Sequence, residues 1–455
     1  MSKKRKKKAQ KIVKMENLKQ INIDAAGIDI GADELFVCTP EGRDEKSVRT
    51  FGTFTNNLLQ VVEWLKKCKV TTVALESTGV LWIPLYECLA DNGFEVYLIN
   101  ARHIKNVPGK KTDVLDCQWI QQLHTYGLLQ NSFRPEEDMV ALRSLVRHRE
   151  MLIRYRSAHI QHIHKALQQM NLKLDRVVSD VTGQTGMTIL RAILAGERDV
   201  NRLASYRHGR CHHSEDEIAQ ALVGNYRAEH LFALQQAVEF YDFYTQQIHN
   251  CDREIETRDS VFRPQVDVEK NPLPPPKRKK PHGNDPDFDL RTQLYQMAGV
   301  DLTAIDGISA LTAQTNLSEI GLDMSAWPTI KHFTSWLGLC PQNDISGGRV
   351  LKRTTAKVAN RAAQALRIAV QSLHRSHSVL GSYFRKMKSK HGPQAATTIT
   401  AHKLARIIYT MLKNKTAYVP QDIDVYEEKR RQYHIKTLEK QALKLGFELS
   451  PLSPS

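Results

Sequence analysis

The chain has 455 residues, 41% hydrophobic and 25% charged, enough for two or three domains with sizeable cores and outside the disordered and fibrous classes. No apolar run approaches the roughly 18 residues that span a bilayer, and no signal-peptide segment opens the chain, so no membrane partner is expected. A formal charge of +16 and seven scattered cysteines without a CxxC pair point to a polyanion-binding protein of a reducing cytoplasm.

Residues 1–20 open on "MSKKRKKKAQKIVK", with eight Lys/Arg and no acid in the first fourteen positions. This reads as a disordered basic arm that binds phosphate without specificity. From residue 21 the pattern is α/β. "INIDAAGIDIG", "ELFVCTP" and "KSVRTFGTF" read as strands, and residues 56–69 as a helix with Leu58, Val61, Val62 and Leu65 on one face. "VTTVALEST" is a buried strand, "LWIPLYECLADNG" a helix capped by Gly93, and "FEVYLIN" the last strand. The order β-β-β-α-β-α-β followed by a helix is that of an RNase H-like domain, expected over 21–135, although other α/β folds begin in the same way.

Residues 136–263 read as long helices, with a run of over thirty residues free of Gly and Pro that suits a coiled-coil-like arm. Arg143, Arg147, Arg149, Arg154 and Arg156 lie along it, and the arm is expected to help hold nucleic acid. Clustered prolines make 264–289 a linker or exposed insertion. A second, mainly helical domain is expected over 290–420, followed by a tail over 421–455. Its turn at Asp306–Gly307 fits either a phosphate-gripping helix-hairpin-helix or an ordinary helical hairpin. Residues 345–421 contain fifteen Lys/Arg and no Asp/Glu, and the chain outside this segment and the N-terminal arm is net acidic. An acid-free helical segment of that length expects a nucleic acid.

Four acids draw attention against this basic background. Asp29 ends the first strand in "GIDIG" and Glu76 ends the fourth in "ALEST"; in an RNase H-like sheet these strands are neighbours. Asp113 and Asp116, in "KKTDVLDCQWI", share a helix face three residues apart. Carboxylates gathered in one pocket repel unless cations neutralise them, and hard oxygen donors suit Mg²⁺ or Mn²⁺. Two such ions about 3.5–4 Å apart stabilise both the attacking and the leaving oxygen of a phosphodiester. A sugar-kinase-like ATPase also opens on "GIDIG", but it gives the D-x-x-D helix no task, and no second glycine-rich phosphate loop follows. His208, Cys211, His212 and His213 in "RHGRCHHSED" lack a partner cluster at zinc-finger spacing, so a polar loop is the better reading.

"ESTGVLWIPLYE", "FEVYLINARHIKNVPGKKTDVLDCQWIQQLHTYGLL" and "WLGLCPQNDISGGRVLKRTTAKVANRAAQALRIA" closely resemble the DEDD transposases of the insertion-sequence one-ten family, nearest to its eleven-eleven subgroup. The likeness covers roughly 21–135 and 294–415. It implies a RuvC-like domain, a coiled-coil arm and a C-terminal transposase domain with a nucleophilic serine. It also implies an RNA-guided recombinase, in which a structured element-encoded RNA pairs with target and donor DNA in the cytoplasm of a prokaryote, close to the nucleoid. The four acids of the pattern fall on Asp29, Glu76, Asp113 and Asp116, and the serine on Ser346. Two features depart from it: Ala359–Asn360 stands where Gly-Asn is frequent, and the proline-rich stretch lengthens the link between arm and second domain. The glycines after Ser346 suggest an exposed, flexible loop that DNA can approach. Arg349, Lys352, Arg353, Lys357 and Arg361 are the expected phosphate contacts near the cleaved strand. Joining four strand ends calls for a homo-oligomer, a dimer or a tetramer. A metal-dependent Holliday-junction nuclease and a non-catalytic nucleic-acid scaffold are the competing readings.

Overall fold

The computed structural model describes residues 19–77, 79–100, 113–276, 283–347, 349–355, 359–420 and 422–450. The chain divides into two compact units, residues 1–134 and 135–455.

The first unit is built on β1 (Ala25–Ile30), β2 (Glu34–Cys38), β3 (Val48–Gly52), β4 (Thr72–Glu76) and β5 (Glu95–Ile99), in the sheet order β3-β2-β1-β4-β5. The first three strands form an antiparallel meander, whereas β1, β4 and β5 run parallel. Helix α1 (Thr55–Lys67) carries the chain from β3 to β4 and α2 (Trp82–Asp91) from β4 to β5, and Gly93, at φ +86°, lets the chain turn after α2. They cover one face, where Ile28, Val37, Val61, Leu65, Leu75 and Leu89 form the main core. Helix α3 (Asp113–Thr125) packs on the opposite face through a smaller cluster of Ala74, Ile99 and Ile120. The residue alternation along β1 and β4 thus divides their side chains between two differently covered faces.

The second unit begins with α4 (Glu137–Gln169), which pairs along its length with α9 (Ala228–Asp259). Four short helices, α5 (Leu174–Val177), α6 (Gln184–Leu194), α7 (Val200–Ser205) and α8 (Glu215–Ala221), form a cap around Ile163, Leu167, Ile189, Leu190 and Leu222. The remainder comprises α10 (Leu290–Ala298), α11 (Ala310–Ile320), α12 (Ile330–Trp336), the hairpin β6 (Pro341–Ser346) and β7 (Arg349–Thr355), α13 (Arg361–Ser372), α14 (Val379–His391), α15 (Pro393–Asn414) and α16 (Ile423–Lys444).

Two expectations change here. The arginines of α4 are not an open nucleic-acid face. Arg147 makes a bidentate pair with Glu319, with both bonds at 2.7 Å, and Arg143 donates to the carbonyls of Ser318 and Glu319. Arg149 is buried against Asp252, and Arg156 donates to Asn284. Of the five, only Arg154 is exposed with no such partner among the described residues. These guanidiniums anchor α4 to α11, to α9 and to the backbone near 283–284. That anchoring ties residues 283–284 to the packed unit, whereas the described residues 264–276 are mostly exposed and form neither helix nor strand. Second, the glycine-rich segment around Ser346 is an antiparallel hairpin with a register shift at Asp344–Ile345, because residues on either side of the glycines over 341–355 pair as strands.

Candidate active site

The parallel ladder between β1 and β4 pairs Ala25 with Thr72 and Ile28 with Leu75. Asp29 and Glu76 are the next residue on each strand. Register therefore places them side by side on one face, with neighbouring strands about 4.8 Å apart. That is the α3 face, shared with Gly27 and Ala74.

Helix α3 crosses this face very closely. A Cβ on Gly27 would lie 2.5 Å from the Cys117 carbonyl and would overlap the Gln121 backbone nitrogen. Only a glycine fits there, and Ala74 keeps the neighbouring strand equally low. The helix direction follows from its bonds. At its C-terminal end His124 Nε2 lies 2.8 Å from Thr72 Oγ1, and Gln121 donates to the Ala25 carbonyl; both partners open their strands. The N-terminal end of α3, with Asp113 and Asp116, therefore points toward the C-terminal ends of β1 and β4, where Asp29 and Glu76 sit. His124 is buried and held neutral, its pKa pulled down to about 4 by desolvation, so it anchors the helix without charge.

The electrostatics agree with this placement. The buried Cys117 thiol is pushed far up by its hydrogen bond with Cys38, then by burial and by the charges of Cys38 and Asp29. Asp29 is thus close enough to the first turns of α3 to be felt there. Asp29, Glu76 and Asp116 are all half-buried. The Asp113 side chain lies outside the described structure. No three described His, Cys, Asp or Glu side chains are close enough together to hold a metal as they stand.

The donor chemistry nevertheless fits a hard divalent cation. All the donors are carboxylate oxygens, from two adjacent strand ends and one helix end. Mg²⁺ takes only one or two carboxylates and draws its remaining ligands from water and substrate phosphate. Gly27, which allows the close approach of α3, is the residue that sequence reasoning passed over. Its signal was a glycine inside an otherwise apolar strand.

In the second unit Ser346 is the last residue of β6, exposed and paired with Arg349. Gly347 takes φ +56° in the turn, with open space around it. Lys352 and Arg353 follow on β7 opposite Asp344 and Asn343. Their side chains, and Lys357 altogether, lie outside the described residues. Arg361 is not an open cation: its Nη1 lies 2.8 Å from Glu150 Oε2 on α4. At the Asp306–Gly307 turn the Ile308 N–H is taken by the Ile305 carbonyl, and a Cβ on Gly307 would meet Leu373 at 3.1 Å. Around His208 to His213, Cys211 donates to the Val177 carbonyl and His213 faces Glu217.

Two family profiles match the chain. One, described as a transposase of the DEDD type, covers residues 26–172; the other, described as a transposase of the IS116/IS110/IS902 family, covers 300–385. The chain is also similar to the transposase for insertion sequence element IS1328 of Yersinia enterocolitica, 21% identical over 404 residues. That alignment spans 87% of this chain and 99% of the relative. The first profile contains both strand-end acids and the α3 pair, and the second contains the hairpin.

Proposed function

Because the chain is a transposase of the IS110 family, we propose that it cuts and rejoins DNA through a covalent phosphoserine link on Ser346. The adjacency of Asp29 and Glu76 at the end of a β3-β2-β1-β4-β5 sheet, with the start of α3 directed toward them, is the observation that carries the reading. The same sheet order supports an RNase H-like, RuvC-like fold for the first unit, and DNA is the partner that a transposase implies.

Asp29, Glu76, Asp113 and Asp116 hold Mg²⁺ or Mn²⁺ in this reading. When bound, the metal neutralises charge on the scissile phosphate and on the departing oxygen. The chain's own residues do the rest. Arg349, cross-strand from Ser346, and Lys352, Arg353 and Lys357 keep the strand against the hairpin. Ser346 Oγ attacks phosphorus while the P–O bond to one strand end breaks, and the serine proton is lost as the released oxygen gains one. A hydroxyl of a second strand then attacks the phosphoserine and frees Ser346 Oγ, so the phosphodiester is conserved. An exposed serine at a tight turn suits a nucleophile that must reach a phosphate.

The fifteen cations of 345–421 read no sequence by themselves, since phosphate contacts position without specifying. Site choice is delegated to base pairing with a structured guide RNA, and a homo-oligomer, dimer or tetramer, brings the strand ends together. The scattered free cysteines suit action in the cytoplasm.

The test is denaturant-resistant trapping of protein on labelled donor DNA in Mg²⁺. Ser346→Ala is expected to lose both the adduct and cleavage by roughly a thousandfold or more. Hydrolysis retained in that variant would instead identify a metal-dependent junction nuclease. Sequencing of co-purifying nucleic acid, and retargeting with an altered guide loop, checks the RNA. Recombination at an unchanged site by RNA-free protein would end that part of the reading.

A further inference from the structure

Helix α15 presents Ile399, His402, Lys403, Arg406, Ile407 and Thr410 along one face, at helical spacing. That face, Tyr383 of α14, Ile330 at the start of α12 and the extended segment 416–419 surround a cleft of about 580 Å³. The chain reaches that segment through a left-handed cap at Lys415. The cleft lies wholly within the second unit, and its volume is within the usual range of ligand sites.

Its polar groups are one-sided. Lys403 Nζ lies 4.2 Å from the centre of the Tyr383 ring. Burial, then the neighbouring Arg406 charge, pulls both Lys403 and His402 below their ordinary ranges. Among the described residues, no carboxylate lines the cleft. Among the described residues, neither the Lys403 ammonium nor the Arg406 guanidinium has a hydrogen-bond acceptor or an ion-pair partner. Nearby cations differ: Lys413 donates to the Pro328 carbonyl, Lys415 to that of Ala298 and Arg385 to that of Ser376. A half-buried ammonium beside a second cation, with no acceptor, carries a desolvation cost that an anion would offset.

We propose that this cleft takes a single unstacked nucleotide of a nucleic-acid strand, its phosphate on Lys403 and Arg406 and its base against Tyr383 and the apolar wall of Ile330, Ile407 and Met411. Cations beside an aromatic ring and aliphatic walls match a base with its phosphate. A duplex backbone keeps its base faces stacked and would use the cations alone. A free phosphate would leave the wall unused. This inference rests on the reading of the protein as a nucleic-acid enzyme, but on none of its strand-transfer chemistry.

Anisotropy of labelled oligothymidine, oligouridine and duplex DNA with the full chain tests it. Lys403→Met with Arg406→Met, and separately Tyr383→Leu, should each weaken single-strand binding about tenfold or more, given the usual worth of a stacked base. Duplex affinity should change less than about threefold, because one or two phosphate contacts are few among those of the whole basic segment. The melting temperature of the double methionine variant should hold or rise, since two neighbouring like charges with no acceptor among the described residues leave the cleft. Lys386→Met with Lys390→Met, on the exposed side of α14, should weaken single strand and duplex alike. The oligonucleotide that shows the selective loss identifies the source as DNA or RNA. Equal losses on single strand and duplex, or no loss in variants that melt like the parent, would overturn the proposal. So would an unmodified protein that binds no single strand. If the double variant unfolds, Tyr383→Leu carries the same comparison. Cleavage enters none of these readouts, so they remain decisive even if Ser346 is not the nucleophile.

Discussion

The two regions that hold the candidate chemistry are built in opposite ways. Asp29 and Glu76 extend from the central strands of a five-stranded sheet with helices on both faces, and the neighbouring positions Ile28 and Leu75 are completely buried. Ser346 sits on an isolated two-stranded ribbon whose described side chains are exposed, apart from half-buried Thr355. A core holds donors within fractions of an ångström, whereas a lone hairpin is marginal in water and gains order from what it docks against. The difference suits the proposed division of labour. Groups that must share a cation need fixed spacing, and a group that must reach a phosphate needs access.

Removing a donor should break this comparison most sharply. Asp29→Asn or Glu76→Gln should lower strand cleavage in Mg²⁺ by roughly a thousandfold or more, the scale expected when a whole catalytic group is lost. The fold should remain, because neither carboxylate is part of the core. Millimolar Mg²⁺ should stabilise the parent protein by about 1 kcal/mol through binding to the folded state, and that increment should vanish in the variants. A variant whose melting point still rose with Mg²⁺ would place the metal elsewhere.

The second unit treats a carboxylate differently, and that contrast can be sharpened by pH. Asp259, at the end of α9, is buried, and both of its carboxylate oxygens lack a hydrogen-bond partner among the described residues. Burial, then the charge of Glu256, raises its pKa from 3.8 to about 7. The folded state therefore keeps a proton that the unfolded chain gives up near pH 4. Stability falls as pH rises from about 4 to 7, and the full cost stands above 7. Asp259→Asn should leave stability near pH 4 almost unchanged. At pH 8 it should gain at most roughly 4 kcal/mol, since each tenfold change in proton affinity is worth about 1.4 kcal/mol. Thermal denaturation at the two pH values checks this, and a gain that is equal at both would refute it.

Gly27→Ala tests whether placement alone matters. Its methyl group has no room beneath α3, so a loss of about 3 kcal/mol is expected, at the upper end for overpacking. Cleavage should fall even at temperatures where the variant is folded, because α3 and its acids are lifted from Asp29. Undiminished cleavage by a folded Gly27→Ala protein would uncouple the helix from the site.

The smallest effect is expected at Gly347, which needs a backbone conformation instead of space. Gly347→Val should cost about 1–2 kcal/mol in the hairpin, where a branched residue resists positive φ. Gly347→Asn should be close to neutral. Adduct yield should follow that order while the global melting temperature barely moves, and equal yields would show that the turn does not position Ser346.

Much of this was legible from residues alone. Every strand and helix expected between 21 and 100 is present, because each carries its own apolar period and its own Gly or polar stop. The acids stood out at strand ends, since carboxylates beside Ile, Val and Leu need a reason. The arginines of α4 misled, because a cation reads the same whether it awaits phosphate or meets Glu319, Asp252 or Asn284. Partners more than a hundred residues away leave no mark in a local window.

Sequence by itself determined the strands and helices between 21 and 100, which residues could carry charge to a phosphate, and that one long stretch has no acid to neutralise it. These are properties of short windows and of residue type. Tertiary structure decided that Asp29 and Glu76 are adjacent, that α3 starts at their end of the sheet, and that Ser346 sits at a hairpin turn. It also decided that Lys403 and Arg406 line one cleft and find no acceptor among the described residues, while Arg361 is matched by Glu150. Strand pairing, helix direction and charge partnership all depend on which distant surfaces meet, and that choice is made by the packing of the whole core.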